Sequence, residues 1–168
     1  MNTKAQNTSV QKDIRVILHD IRSTHNVGSI FRTADAAGVS RIYISGYTPA
    51  PLDRFKRVQK DIAKTALGAE LSVPWEIVGN TVDELARLII DLKKEGFVIV
   101  GLEQDMRAVD YSEMTLSEKS VLIVGNEVTG VAADILDLCD HIVEIPMRGE
   151  KESLNVSVAF GIALFRMR

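Results

Sequence analysis

Five runs of this chain are dominated by apolar side chains: IRVIL (14–18), RIYIS (41–45), FVIVGL (97–102), SVLIVG (120–125) and HIVEIP (141–146). A strand wetted on one face alternates apolar with polar residues. Continuous apolar runs must instead be covered on both faces, as in a parallel sheet held between two layers of helices. The intervening segments supply those helices. Val27, Ile30, Phe31, Ala34 and Ala37 recur at helical spacing and stop at Gly38. From Thr81 to Glu95, Thr81 and Glu84 make a capping-box pair, Val82, Leu85, Leu88, Ile89 and Leu92 share one face, and Gly96 ends the helix. A basic stretch, DRFKRVQKDIAKTALGAE, reads as partly helical, WEIV (75–78) as a short strand, 103–118 as looser chain and 131–138 as a short helix. The expected fold class is α/β, a mostly parallel sheet flanked by helices.

At 168 residues and 46% hydrophobic content the chain is sized for one domain, placed at 14–168 after a loose N-terminal segment, 1–13. No apolar run reaches about 18 residues, and the start MNTKAQNTSVQKD has no signal-peptide pattern, so we expect no membrane span and a cytoplasmic location. A net charge of −3 argues against nonspecific coating of nucleic acid while leaving room for a local basic patch. The lone Cys139 reads as a small buried residue.

In open α/β sheets ligands gather where strands end, which directs attention to three polar loops: RSTHNVGSIFR, GNEVTG and PMRGEKESLN. The chain has neither a G-x-G-x-x-G nor a G-x-x-x-x-G-K-[ST] phosphate cradle. No His, Cys and carboxylate set has metal spacing, so no metal is expected. Arg32 lies roughly 155° around its helix from the apolar stripe, facing solvent, a partner or a ligand; a solvated arginine explains the spacing equally well. Asn26 and Asn155 each precede a Val at a helix start, where Asn also serves simply as an N-cap. Glu127, between Gly125 and Gly130, is a ligand contact or an exposed turn acid.

Taken together, NVGSIFRTADAAGV (26–39), LIVGNEVTGV (122–131) and IPMRGEKESLNVSVAFGIALF (145–165) resemble the three motifs of the SpoU, or TrmH-like, branch of the SPOUT RNA methyltransferases. The resemblance implies a C-terminal trefoil knot, an exception to the rule against threaded chains. It implies S-adenosylmethionine held around Leu102, Gly125, Ile145, Met147 and Leu154. It further implies methyl transfer to a ribose 2′-hydroxyl of tRNA or rRNA, with Asn26, Arg32, Glu127, Ser153 and Asn155 as the functional positions. Relatives of this kind are homodimers. That accounts for the last helix: Leu154 to Phe165 carries no charge, and a helix apolar on nearly every side must be covered on nearly every side. Ser153 and Asn155 are then expected to cap the turn into it. The chain departs from the family pattern at Val128 and Thr129, and Arg54, Lys56, Arg57, Lys60 and Lys64 with Arg22 and Arg148 read either as an RNA-binding face or as a solvated charged helix.

A ribose hydroxyl is a weak nucleophile, so the residues have to align it and stabilise its alkoxide character. In this reading Arg32 is an electrostatic clamp or a base, Asn26 orients Arg32 or the RNA, and Glu127 organises the motif loops. Two other readings stay open: a catalytically weak RNA-binding or assembly protein retaining the fold, and an unrelated phosphate-ester enzyme using Glu127 and Asn155.

Overall fold

The computed structural model describes residues 12–168. Seven strands form one sheet in the order β3-β2-β1-β6-β4-β7-β5, and every pairing in it is parallel. They are β1 (Asp13–His19), β2 (Arg41–Ser45), β3 (Trp75–Gly79), β4 (Val98–Leu102), β5 (Val109–Asp110), β6 (Lys119–Val124) and β7 (His141–Glu144). Strand alternation splits the apolar side chains between two cores. Ile14, Val16, Leu18, Leu122 and Val124 face helices α1 (Thr24–Ala36), α2 (Lys60–Ala66), α3 (Ala69–Ser72) and α6 (Val156–Met167). Ile17, Val121 and Ile123 face α4 (Val82–Lys94) and α5 (Ala133–Leu136) on the other side. The five apolar runs are therefore buried on both faces, as their composition required.

The basic stretch is partly helical, as expected: it begins as a turn, because the Asp53 carboxylate takes the backbone N–H groups of Phe55 and Arg57 at 2.8 and 2.9 Å, and α2 starts at Lys60. Two expectations need correcting. The stretch 103–118 contains the two-residue strand β5 and one turn of 3-10 helix at Tyr111–Glu113. Of the N-terminal segment, 1–11 lie outside the described residues. Lys12 and Asp13 belong to the fold: Lys12 Nζ donates to the carbonyls of Leu116 and Arg168, and Asp13 opens β1. Among the described residues no helix is long and apolar enough to cross a membrane.

The strand order positions the site. From β1 the chain moves to β2 on one side, and from β6 it moves to β7 on the other, so the loops after the adjacent strands β1 and β6 diverge. Such a switch point leaves a crevice at the carboxyl ends of the strands.

Candidate active site

A cavity of about 330 Å³ opens at the carboxyl ends of β4, β6 and β7. The five expected cofactor positions, Leu102, Gly125, Ile145, Met147 and Leu154, all line it, and so do Glu127 and Ser153. Its wall follows from close local packing. A Cβ on Gly125 would lie 2.6 Å from the backbone of Gly130 and Val131, so only glycine lets the loop fold back on the end of β6. Glu103 fixes the other side of that loop by accepting from the Val131 N–H at 2.8 Å. Gln104 Nε2 reaches the Glu152 carbonyl at 2.6 Å, tying the loop after β4 to the segment that leads into α6.

Beside the cavity, Glu127 joins the two diverging loops. Its carboxylate accepts from the backbone N–H groups of Arg22 (2.9 Å) and Ser23 (3.1 Å) and from Asn26 Nδ2 (2.8 Å). Asn26 Oδ1 in turn accepts from Asn155 Nδ2 at 3.0 Å. Three chain segments distant in sequence are thus locked together by Glu127, Asn26 and Asn155. Burial pushes the Glu127 carboxyl upward, but the donors from Arg22, Asn26 and Ser23 outweigh it and hold the group below its usual range.

The helix caps differ in part from expectation. Ser23, not Asn26, caps α1: its hydroxyl accepts from the Asn26 N–H, which leaves the Asn26 amide free for Glu127. Asn155 does cap α6, accepting from the Ser157 N–H at 2.9 Å. Ser153 takes no part in that cap. Arg32 stands apart from the network. Asn26 and Thr33, seven residues apart, share the side of α1 that faces α6, with Thr33 beside Gly161. Arg32 lies six residues from Asn26, about 120° away around the helix, and is exposed to solvent. Asn26 therefore orients Glu127 and Asn155 rather than Arg32.

Sequence reasoning passed over Asn126, a buried residue that shapes the whole turn. Its Nδ2 donates to the Asp20 carbonyl and the Tyr47 hydroxyl, while its Oδ1 accepts from the N–H groups of Val128 (2.7 Å) and Thr129 (2.8 Å). Only the backbone of Val128 and Thr129 is used, so their departure from the family pattern leaves the turn intact. An Asn directly after an apolar strand was the available signal. Cys139 lies off the site, with burial pushing its thiol up to about 12. Among the described residues no group of His, Cys, Asp and Glu is placed to hold a metal ion.

Glu127→Gln tests the network. The amide keeps one acceptor oxygen but turns a donor toward donors, and we expect a loss of about 1–3 kcal/mol at neutral pH. Because the folded pKa is depressed, the stabilisation is full above the ordinary carboxyl pKa and disappears as pH falls through the folded value. Unfolding curves of the two proteins should converge in acid. A gap that stays constant with pH would mean that Glu127 contributes no charge-dependent stability.

The residues from 13 to 165 match the family described as the SpoU rRNA Methylase family, and the chain belongs to it. It is 39% identical over 150 residues to a 23S rRNA (guanosine-2′-O-)-methyltransferase of Xanthomonas axonopodis, covering 89% of this chain and 56% of that protein. It is 36% identical over 155 residues to a tRNA (guanosine(18)-2′-O)-methyltransferase of Aquifex aeolicus, covering 92% and 68%. Among solved structures, the TrmH/SpoU tRNA modifying enzyme of A. aeolicus superposes with a TM-score of 0.78 at 33% identity, over 94% of this chain and 74% of that one. An AdoMet-bound rRNA methyltransferase from Sinorhizobium meliloti gives 0.79 at 30% identity, over 96% and 58%. The chain spans a little over half the length of several of these relatives, including the Xanthomonas protein.

Proposed function

We propose that the protein is an S-adenosylmethionine-dependent methyltransferase acting on a ribose 2′-hydroxyl of tRNA or rRNA, as a cytoplasmic homodimer. The observation that carries this reading is the cavity at the switch point, lined at every position where the family motifs hold the cofactor and bordered by the Glu127–Asn26–Asn155 network. The residues fit such a ligand. Leu102, Ile145, Met147, Leu154 and Val156 offer apolar wall for an adenosine, and the carboxylates of Glu103, Glu144 and Glu152 can balance a cationic group. S-adenosylmethionine supplies a methyl group already activated on a sulfonium.

The chain's own task is to place and polarise the RNA hydroxyl. Asn26, Glu127 and Asn155 act by positioning, since their side-chain polar atoms are taken up by one another and by the backbone N–H groups of Arg22, Ser23 and Ser157. Ser153, exposed at the cavity rim, is free to contact substrate. Arg32 is assigned to electrostatic clamping of the hydroxyl and its neighbouring phosphate. Its place on the outer face of α1 favours completion of the site by a second copy.

Helix α6 supports that dimer. Phe160, Ala163, Leu164 and Met167 fill the core, whereas Val158, Ile162 and Phe165 line up on the opposite side, 50%, 38% and 58% exposed. An apolar stripe of this kind is the mark of an interface. The threading of the C-terminal segment as a trefoil knot belongs to the same proposal and rests on the family match. Titration calorimetry with S-adenosylmethionine tests the reading: we expect saturable binding in the micromolar range, and no heat at millimolar ligand would remove it. Calorimetry also separates it from a phosphate-ester enzyme, for which no such binding is expected.

A further inference from the structure

The loop from β2 to α2 leaves the same end of the sheet as the cavity and is fastened to it, because the Tyr47 hydroxyl accepts from Asn126 Nδ2 at 2.6 Å and Asn126 lines the cavity. Farther along, Asp53 builds a tight turn. Besides the two backbone N–H groups it takes Arg57 Nε at 2.7 Å, while Asp53 N–H and the Arg57 carbonyl, and Lys56 N–H and the Asp53 carbonyl, pair at 2.9 Å. Leu52 and Val58 close it as an antiparallel bridge. The turn displays Phe55, an aromatic ring left 61% exposed, with the guanidinium carbons of Arg54 and Arg57 at 4.7 and 5.0 Å from its centroid. Lys56, also exposed, sits at the tip.

A rigid turn that holds an unburied aromatic ring beside two cations suits a partner with a flat π surface flanked by negative charge. Resting on the function proposed above, we propose that Phe55 is a stacking platform for an unpaired base of the RNA substrate close to the nucleotide being modified. A duplex keeps its bases stacked on one another and has none to offer, so the substrate class is single-stranded or loop RNA. Stacking accepts any base, and Arg54, Lys56 and Arg57 are placed for the flanking phosphates.

The test compares the unmodified protein with Phe55→Ala, Phe55→Leu and Phe55→Trp in methylation of bulk cellular RNA at saturating S-adenosylmethionine. Phe55→Ala should raise the RNA KM about tenfold and leave kcat within about twofold. Tryptophan should restore the KM and leucine should not. Cofactor binding and oligomeric state should be unchanged in all three. An unaltered KM in Phe55→Ala, equal rescue by leucine, or a change of oligomeric state would each overturn the inference, the last assigning Phe55 to contact between copies. A second readout stands apart from turnover. Fluorescence of Phe55→Trp, with the protein carrying only Trp75 as control, should be quenched by a short mixed-sequence single-stranded RNA and not by its duplex. Quenching without any methylation would retain the platform and reject the proposed reaction, whereas equal response to both RNAs would reject the platform.

Discussion

Alanine at Arg32 is expected to leave the protein folded and able to take up S-adenosylmethionine while lowering turnover at least about a hundredfold, the order seen when a preorganised transition-state donor is removed. Retained folding follows from the structure. Arg32 is exposed, and the α1 core is made by Val27, Ile30, Phe31 and Ala34 on the opposite side. Arg32→Lys separates the two roles weighed for the residue. Lysine keeps a positive charge but loses the planar fork that holds a phosphate and a hydroxyl oxygen together, so a clamp is not restored. A base would behave otherwise: lysine sheds its proton more readily than arginine, and activity should return as pH rises toward about 10. Single-turnover rates across pH decide between them. Near-normal turnover in Arg32→Ala would take the residue out of the reaction.

Phe165→Glu should convert a dimer into a folded monomer and remove turnover with it. In the isolated chain Phe165 faces solvent, so a carboxylate there costs the fold little, whereas the same change at the buried Phe160 would strike the core. Within a two-fold interface each substitution places two charges in a dry contact, one from each copy. An unpaired buried charge costs about 3–5 kcal/mol, enough to weaken association by at least about a hundredfold. If Arg32 completes the site of the second copy, mixing Phe165→Glu with the unmodified protein should not rescue its activity. Light scattering on both proteins checks the claim, and a monomer for the unmodified chain at micromolar concentration would contradict it.

The strands were legible because burial on both faces leaves a plain mark, a run such as SVLIVG without alternation. Their order was not. Nothing local in β6 says that it inserts between β1 and β4, and it is that insertion which brings Glu127 to Arg22, Ser23 and Asn26. The cavity positions came from the family motifs, and the structure gathers all five of them around one space. Where reading from single residues went astray, two polar groups competed for one job. Asn26 looked like a helix cap, but Ser23 caps first and releases Asn26 to hold Glu127 and Asn155. In the partly helical basic stretch, the Asp53 carboxylate holds DRFKR as a turn by capturing nearby N–H groups, and the helix begins at Lys60. Arg32 illustrates a different case: helical geometry placed it on the exposed face of α1, and its part in the reaction is the proposal that Arg32→Ala tests.

The central claim is that this fold moves a methyl group from S-adenosylmethionine to an RNA ribose. The most direct measurement incubates the protein with bulk cellular RNA and S-adenosylmethionine carrying an isotopically labelled methyl group, digests the RNA to nucleosides and reads them by mass spectrometry. The account predicts the label on 2′-O-methylated nucleosides, retained on the ribose when the base is split away in the spectrometer and absent with Arg32→Ala. Label carried by the base, or RNA left unlabelled by a protein that binds the cofactor, would contradict it.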